Sequence, residues 1–405
     1  MENSIEIIND ILLLKKPKRL GFWDAPWPET MVRWIREGYK TQISFKKPGD
    51  MKWNQINGRW ELVDIEGNYL EPIPLYIGLE YDIAPFGITD YGFDIMPWCG
   101  YKKVIKETDE WEIIRNGAGA DLKWWKNKCG TPEHINFLMK DRQIWEKDFR
   151  PFLIEWDKNR LKGLEYFKKE LAKAKMAGKF TSFVVPFIWE NMRQSMGDIT
   201  FYESLILDPK WILDYCRVYT DFYKKYLEYI FENDCKPDAV FVCEDLGYNK
   251  GLFASPKILE ELIFPFYIEI NNFFHSKGVY SIMHHCGSVK ESLPLIVAAD
   301  FKALHAMERK AAGNDPFEFA EKYKDKIAFI GGFDVRIFET NDKDLIKKEM
   351  IFYINGMKKR GARLIFASDH SVPPTVSYDT YKYIMDIFKE YMQYEPHHLD
   401  INKLS

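Results

Sequence analysis

Beyond residue 175 the chain alternates short β-branched or aromatic runs with longer amphipathic stretches. The runs are KFTSFVVPF (179–187), DAVFVCED (238–245), GVYSIMHHC (278–286), KALHAME (302–308), KIAFIGGFD (326–334) and GARLIFASD (361–369). Between them, stretches such as DPKWILDYCRVYTDFYKKYLEYIFEND (208–234) and DKDLIKKEMIFYINGMKKRG (342–361) carry helical spacing. Asp208-Pro209 and Ser255-Pro256 offer a capping side chain and then a proline at the first helical position. Gly361 follows a basic last turn, as a helix end should. Strand then helix, repeated, predicts an α/β fold with a parallel sheet covered by helices. The count favours a closed (β/α)8 TIM barrel, with the remaining strands before residue 175 and KRLGFWDA (18–25) as the first of them.

Residues 50–130 break this rhythm. RWELVDIEGNYLEPIPLYIGLEYDI and YKKVIKETDEWEIIRNGAGADLKWW read as short antiparallel strands joined by Gly and Asn turns. The expectation is one barrel over 1–405 with 50–130 as an insertion or cap. No internal repeat, low-complexity tract or Ser/Gly linker interrupts it.

Composition narrows the classes. A net charge of −4 over 405 residues gives no electrostatic case for nucleic acid. No stretch approaches about 18 apolar residues, so no membrane span is expected. The six cysteines (99, 129, 216, 235, 243, 286) show no CxxC spacing, and the N-terminus has no signal-peptide pattern. A reducing cytoplasm with free thiols is the expectation. Aromatic residues reach 16%, which fits either a ring-rich core and cap or a pocket for a flat, apolar ligand.

In a barrel of this kind functional groups sit where strands end. The strand ends supply Glu244 and Asp245, then His284, His285 and Cys286, then Glu308, then Asp334 with Arg336 beyond it, then Asp369 and His370. Alternation along a strand turns His284 and Cys286 to one face and His285 to the other. If that face is the mouth, Glu308 and His370 could complete a set of one thiolate, one carboxylate and two imidazoles, a donor set suited to zinc. Such a set would also neutralise a divalent charge. The residues themselves leave other readings open. A cysteine at a strand end is often a buried small residue; Glu308 beside Arg309 and Lys310 also fits a surface ion pair; Glu244 and Asp245 also fit loop caps, or substrate contacts.

From about residue 180 the chain resembles the uroporphyrinogen decarboxylase superfamily, in VCEDLGYNKGLFASPKILEELIFPFY, HHCGSVKESLPLIVAADFKALHAME, AFIGGFDVR and ASDHSVPPTVSYDTYKYIMD. PKRLGFWDAPWPETMVRWIREG and GTPEHINFLMKDRQIWEK are similar to the start of its methyltransferase-like members. The resemblance implies a single (β/α)8 barrel with a deep mouth. The porphyrin decarboxylases carry an RQAGR-type motif for substrate carboxylates; FWDAPWPETMVRW has Arg33 but not that motif. The zinc-dependent corrinoid methyltransferases carry H-x-C-G, met by His284, Cys286 and Gly287, and a later Glu, matched by Glu308. Their Cys before Pro-Pro is replaced: SDHSVPP sets His370 there.

Imidazole in place of a thiolate makes a zinc ion a harder Lewis acid, suited to a leaving oxygen. The resemblance therefore implies an O-demethylating methyltransferase. Zinc would sit on His284, Cys286, Glu308 and His370, and a corrinoid (cobalamin) on a partner protein would accept the methyl group. Glu244, Asp245 and Asp334 are the candidate catalytic acids, and Trp23, Asp24 and Arg336 the candidate substrate contacts. A homodimer is compatible with this expectation. The alternatives are a metal-free decarboxylase or lyase of the same fold and a non-catalytic barrel that binds a tetrapyrrole or corrinoid.

Overall fold

The structure, a computed structural model, describes residues 3–40, 51–56, 59–64, 73–126 and 131–394, without the side chains of 51–64 and 89. Among these residues eight strands form one sheet: β1 (Gly21–Phe22), β2 (Ile83–Gly87), β3 (Phe180–Pro186), β4 (Ala239–Cys243), β5 (Tyr280–His285), β6 (Ala303–Ala306), β7 (Ala328–Ile330) and β8 (Leu364–Phe366). Every paired neighbour is parallel, in the order β1-β8-β7-β6-β5-β4-β3-β2. The protein is an α/β, TIM-barrel-like fold. Strands such as AVFVC are apolar throughout because core packs on both of their faces.

The sheet's two ends are joined less by a ladder than by one carboxylate. Asp82 N donates to Phe22 O at 2.8 Å, and the Asp82 side chain accepts from Phe22 N at 2.8 Å. The same carboxylate takes two bonds from Arg19, at 2.7 and 2.8 Å, and one from Ser4 Oγ at 2.7 Å. Asp82 thus ties the helix Ser4–Leu12, β1 and β2 together at the N-terminal end of the barrel.

All six runs picked out beyond residue 175 contain a barrel strand, and the helices Pro209–Glu232 and Lys343–Lys359 match the helical stretches. Asp208 and Ser255 cap as expected, accepting from Trp211 N and Ile258 N. The first strand lies within 18–25. The second, β2, falls inside the stretch set aside as a cap: with only five residues and a central proline, IAPFG carries almost no strand pattern. The antiparallel part comprises the hairpin Met51–Ile56 with Arg59–Asp64 and a four-stranded sheet from Lys103–Glu107 to Glu133–Phe137, so it runs past residue 130. Residues 65–72, 127–130 and Cys129 lie outside the described residues. Among those described, no helix is long and apolar enough to cross a membrane, and Cys99, Cys216, Cys235, Cys243 and Cys286 are free thiols.

Candidate metal centre

The short strands stop before the chemistry begins, so the polar residues that follow them sit at the mouth of the barrel. β5 carries Ile282, His284 and then Cys286 on its lumen side. His284 Nε2 lies 3.3 Å from Cys286 Sγ and 3.6 Å from Asp245 Oδ1, just past β4. Asp245 Oδ1 also accepts from Cys286 N at 3.0 Å, which locks the β4 and β5 ends into one unit. The turn after Cys286 requires a glycine. Gly287 has φ +77, and a Cβ there would stand 2.7 Å from the Tyr248 backbone.

Two groups of donor atoms converge here, each with its members within 4.8 Å of one another: Asp245, His284 and Cys286, and Cys286, Glu308 and His370. Cys286 belongs to both. Glu308 arrives on the loop after β6 and is buried, with Lys310 Nζ 3.9 Å away. That loop is pinned by Asp369, whose carboxylate accepts from Arg309 N at 2.9 Å and Val335 N at 3.0 Å. β7 ends against the same region: a Cβ on Gly331 would meet Ala306 O at 2.7 Å.

The four residues expected to hold a metal fall into these two groups, His284 beside Cys286 and Asp245, and Glu308 and His370 beside Cys286. The donor types, a thiol with an imidazole and a carboxylate in each group, fit a divalent cation of intermediate softness. Without such a cation, burial pushes the Cys286 thiol well above its usual range, and the carboxylates of Asp245 and Glu308 push the same way. Burial lowers His284, against Asp245, so its imidazole is neutral and able to ligate.

The other expected site residues are placed differently. Glu244 has no exposed surface. Its oxygens accept from Phe187 N (2.6 Å), Trp189 N (2.7 Å), Glu190 N (3.3 Å) and Tyr267 Oη (2.5 Å). Burial raises its carboxyl to about 8 against those donors. It anchors the start of the helix Ile188–Met196 and offers no free oxygen to a substrate. Asp334 caps the helix Val335–Glu339 and pairs with Arg336 at 2.5 Å, so these two residues engage each other at the rim. Asp24 is buried, accepts from Ser368 Oγ at 2.6 Å and Tyr381 Oη at 3.2 Å, and is raised to about 6 by burial. Trp23 lies beside Phe241 and His305, with ring centroids at 5.6 and 5.2 Å, and its indole N–H has no partner among the described residues. His285 points away from the mouth, fully buried, with Nδ1 2.6 Å from Cys286 O, as alternation requires.

His305 went unnoticed in the sequence. Its Nδ1 is 2.6 Å from His284 Nδ1. The one signal was its place three residues before Glu308 on a lumen-facing register, and a single histidine in KALHAME does not announce a partner on another strand.

Residues 189–391 match the family model described as Uroporphyrinogen decarboxylase (URO-D), just over half of the chain. No curated protein matches the chain. Among solved structures, a methyltransferase from Methanosarcina mazei is similar over 96% of this chain and 98% of its own, with TM-score 0.59 and 10% identity. A putative vitamin-B12 independent methionine synthase from Listeria monocytogenes is similar over 55% of this chain and 69% of its own, with TM-score 0.35 and 11% identity.

Proposed function

The chain belongs to the uroporphyrinogen decarboxylase family, and from that premise we propose that it is a zinc-dependent methyltransferase. It moves a methyl group from an O-methylated small molecule to the cobalt of a corrinoid held by a partner protein. The observation that carries this reading is the convergence of Cys286 Sγ with the donor atoms of Asp245 and His284 on one side and of Glu308 and His370 on the other. Cys286 with His284, Glu308 and His370 would hold the ion, and Asp245 is the spare carboxylate at its edge. A zinc ion bound there supplies Lewis acidity toward the oxygen that carries the methyl group.

The chain's own residues do the rest. Trp23 and Phe241 form an apolar wall beside the cluster, suited to an aromatic ether. Asp245, about one-third exposed and 3.6 Å from His284, is placed to hold or release a proton at the mouth. A decarboxylase of tetrapyrroles needs cations for several carboxylates, and Arg33, the arginine of the FWDAPWPETMVRW segment, is engaged elsewhere. It donates to Glu37 at 2.7 Å and to the carbonyls of Pro374 and Thr375 at 2.7 and 2.8 Å.

Elemental analysis of freshly purified protein should find about one zinc per chain, and Cys286→Ala should remove it. Incubation with methoxyarenes, a corrinoid protein and a reductant should give methylcobalamin absorbance. Metal-free wild-type protein would defeat the reading, and conversion only with a thiol acceptor would reverse the assigned direction.

A further inference from the structure

His305 stands opposite His284 in the β5–β6 register. The two rings are 4.8 Å apart between centroids and tilted by 30°, with Nδ1 to Nδ1 at 2.6 Å. His305 is 8% exposed, and Trp23 and Phe241 meet its ring at 71° and 66°. Those two rings leave it little room to turn. A contact of 2.6 Å between two imidazole nitrogens needs one hydrogen between them, so one ring donates and the other accepts.

We propose that His305 is a positioning residue that accepts from His284 Nδ1–H and so holds His284 with a bare Nε2 facing Cys286 and Asp245. This rests on the reading that His284 binds a cation. A neutral imidazole has one N–H, so a hydrogen kept on Nδ1 leaves the lone pair on Nε2. In the opposite arrangement His305 donates, and His284 Nε2 carries a hydrogen into the space where a cation would sit. Metal-ligating histidines commonly donate their other N–H to a carboxylate or a backbone carbonyl. Here a second imidazole occupies that place. It accepts without adding a negative charge to a cluster that already holds Asp245, Cys286 and Glu308.

The experiment compares the metal-free full chain as wild type, His305→Phe and His305→Asn. Zinc affinity is measured by chelator competition, the visible spectrum is recorded after loading with cobalt(II), and thermal unfolding is followed without metal. Phenylalanine keeps the ring packing and removes the acceptor, whereas the asparagine oxygen stands near the position of Nδ1. His305→Phe should weaken zinc by about 10–100-fold and shift the cobalt bands. His305→Asn should recover most of the affinity. Unchanged affinity in His305→Phe would overturn the proposal, as would equal losses in the two variants, which would mark simple packing. A wild type that binds neither zinc nor cobalt would overturn the metal reading itself and this inference with it.

Discussion

The two ends of this barrel treat their carboxylates in opposite ways. At the N-terminal end Asp82 is saturated: Arg19 meets it with two bonds, and Ser4 Oγ and Phe22 N fill the remaining positions. At the mouth Glu308 is also buried, with the Cys286 thiol beside it and Lys310 Nζ 3.9 Å away. Asp245 has a backbone N–H and a neutral histidine beside it. A buried charge with all its bonds made is part of the scaffold. One set among other donor atoms at the mouth is placed where a ligand can reach it. The contrast also separates neighbours. Glu244 and Asp245 are adjacent in sequence, but the first is saturated inside the wall and the second opens onto the cluster.

The sharpest way to break this contrast is Asp82→Ala. It removes a buried carboxylate that takes two bonds from Arg19 and one each from Ser4 and Phe22 N, and should cost about 3–5 kcal/mol in urea unfolding, while protein that remains folded keeps its zinc. Cys286→Ala should do the reverse, with little change in metal-free stability. Loss of metal in folded Asp82→Ala protein would show that the two ends are coupled.

A second effect concerns Asp24. Its folded-state pKa of about 6 lies above the ordinary 3.8 because it is buried. The folded state therefore holds the proton more tightly. The resulting stabilisation is complete below about pH 4 and is lost as pH rises through about 6, at most about 3 kcal/mol. Urea melts of wild type and Asp24→Asn between pH 4 and 7 should diverge in that sense, with the variant flatter. Parallel profiles would show that Asp24 stays charged throughout.

The smallest effect is expected at the rim. Asp334→Ala removes a helix cap and an exposed ion pair, for about 1 kcal/mol, with zinc content and turnover unchanged. A tenfold fall in turnover would return Asp334 to the substrate.

Much of the barrel was legible because strands buried on both faces read as apolar runs and long helices read at their own period; KFTSFVVPF and GVYSIMHHC needed no partner to be recognised. β2 was not legible, since IAPFG becomes a strand only through the pairing of its residues with Phe180–Val184. The site divides along the same line. His284 and Cys286 share a face by strand alternation alone, within one segment, and Gly287 follows from the turn between Cys286 and Tyr248.

Which acids join them could not be read in that way. Glu244 and Asp245 are equivalent as letters, and only the donors of Phe187, Trp189 and Tyr267, brought from two other segments, withdraw the first and leave the second. His305 likewise becomes a partner of His284 through the β5–β6 register, across 21 residues of chain. Periodicity is a local property and is written along the chain, so the sequence by itself determined the architecture and the H-x-C core of the site. Hydrogen-bond saturation depends on atoms distant in sequence, and the tertiary structure alone decided which charged groups remained available to a ligand.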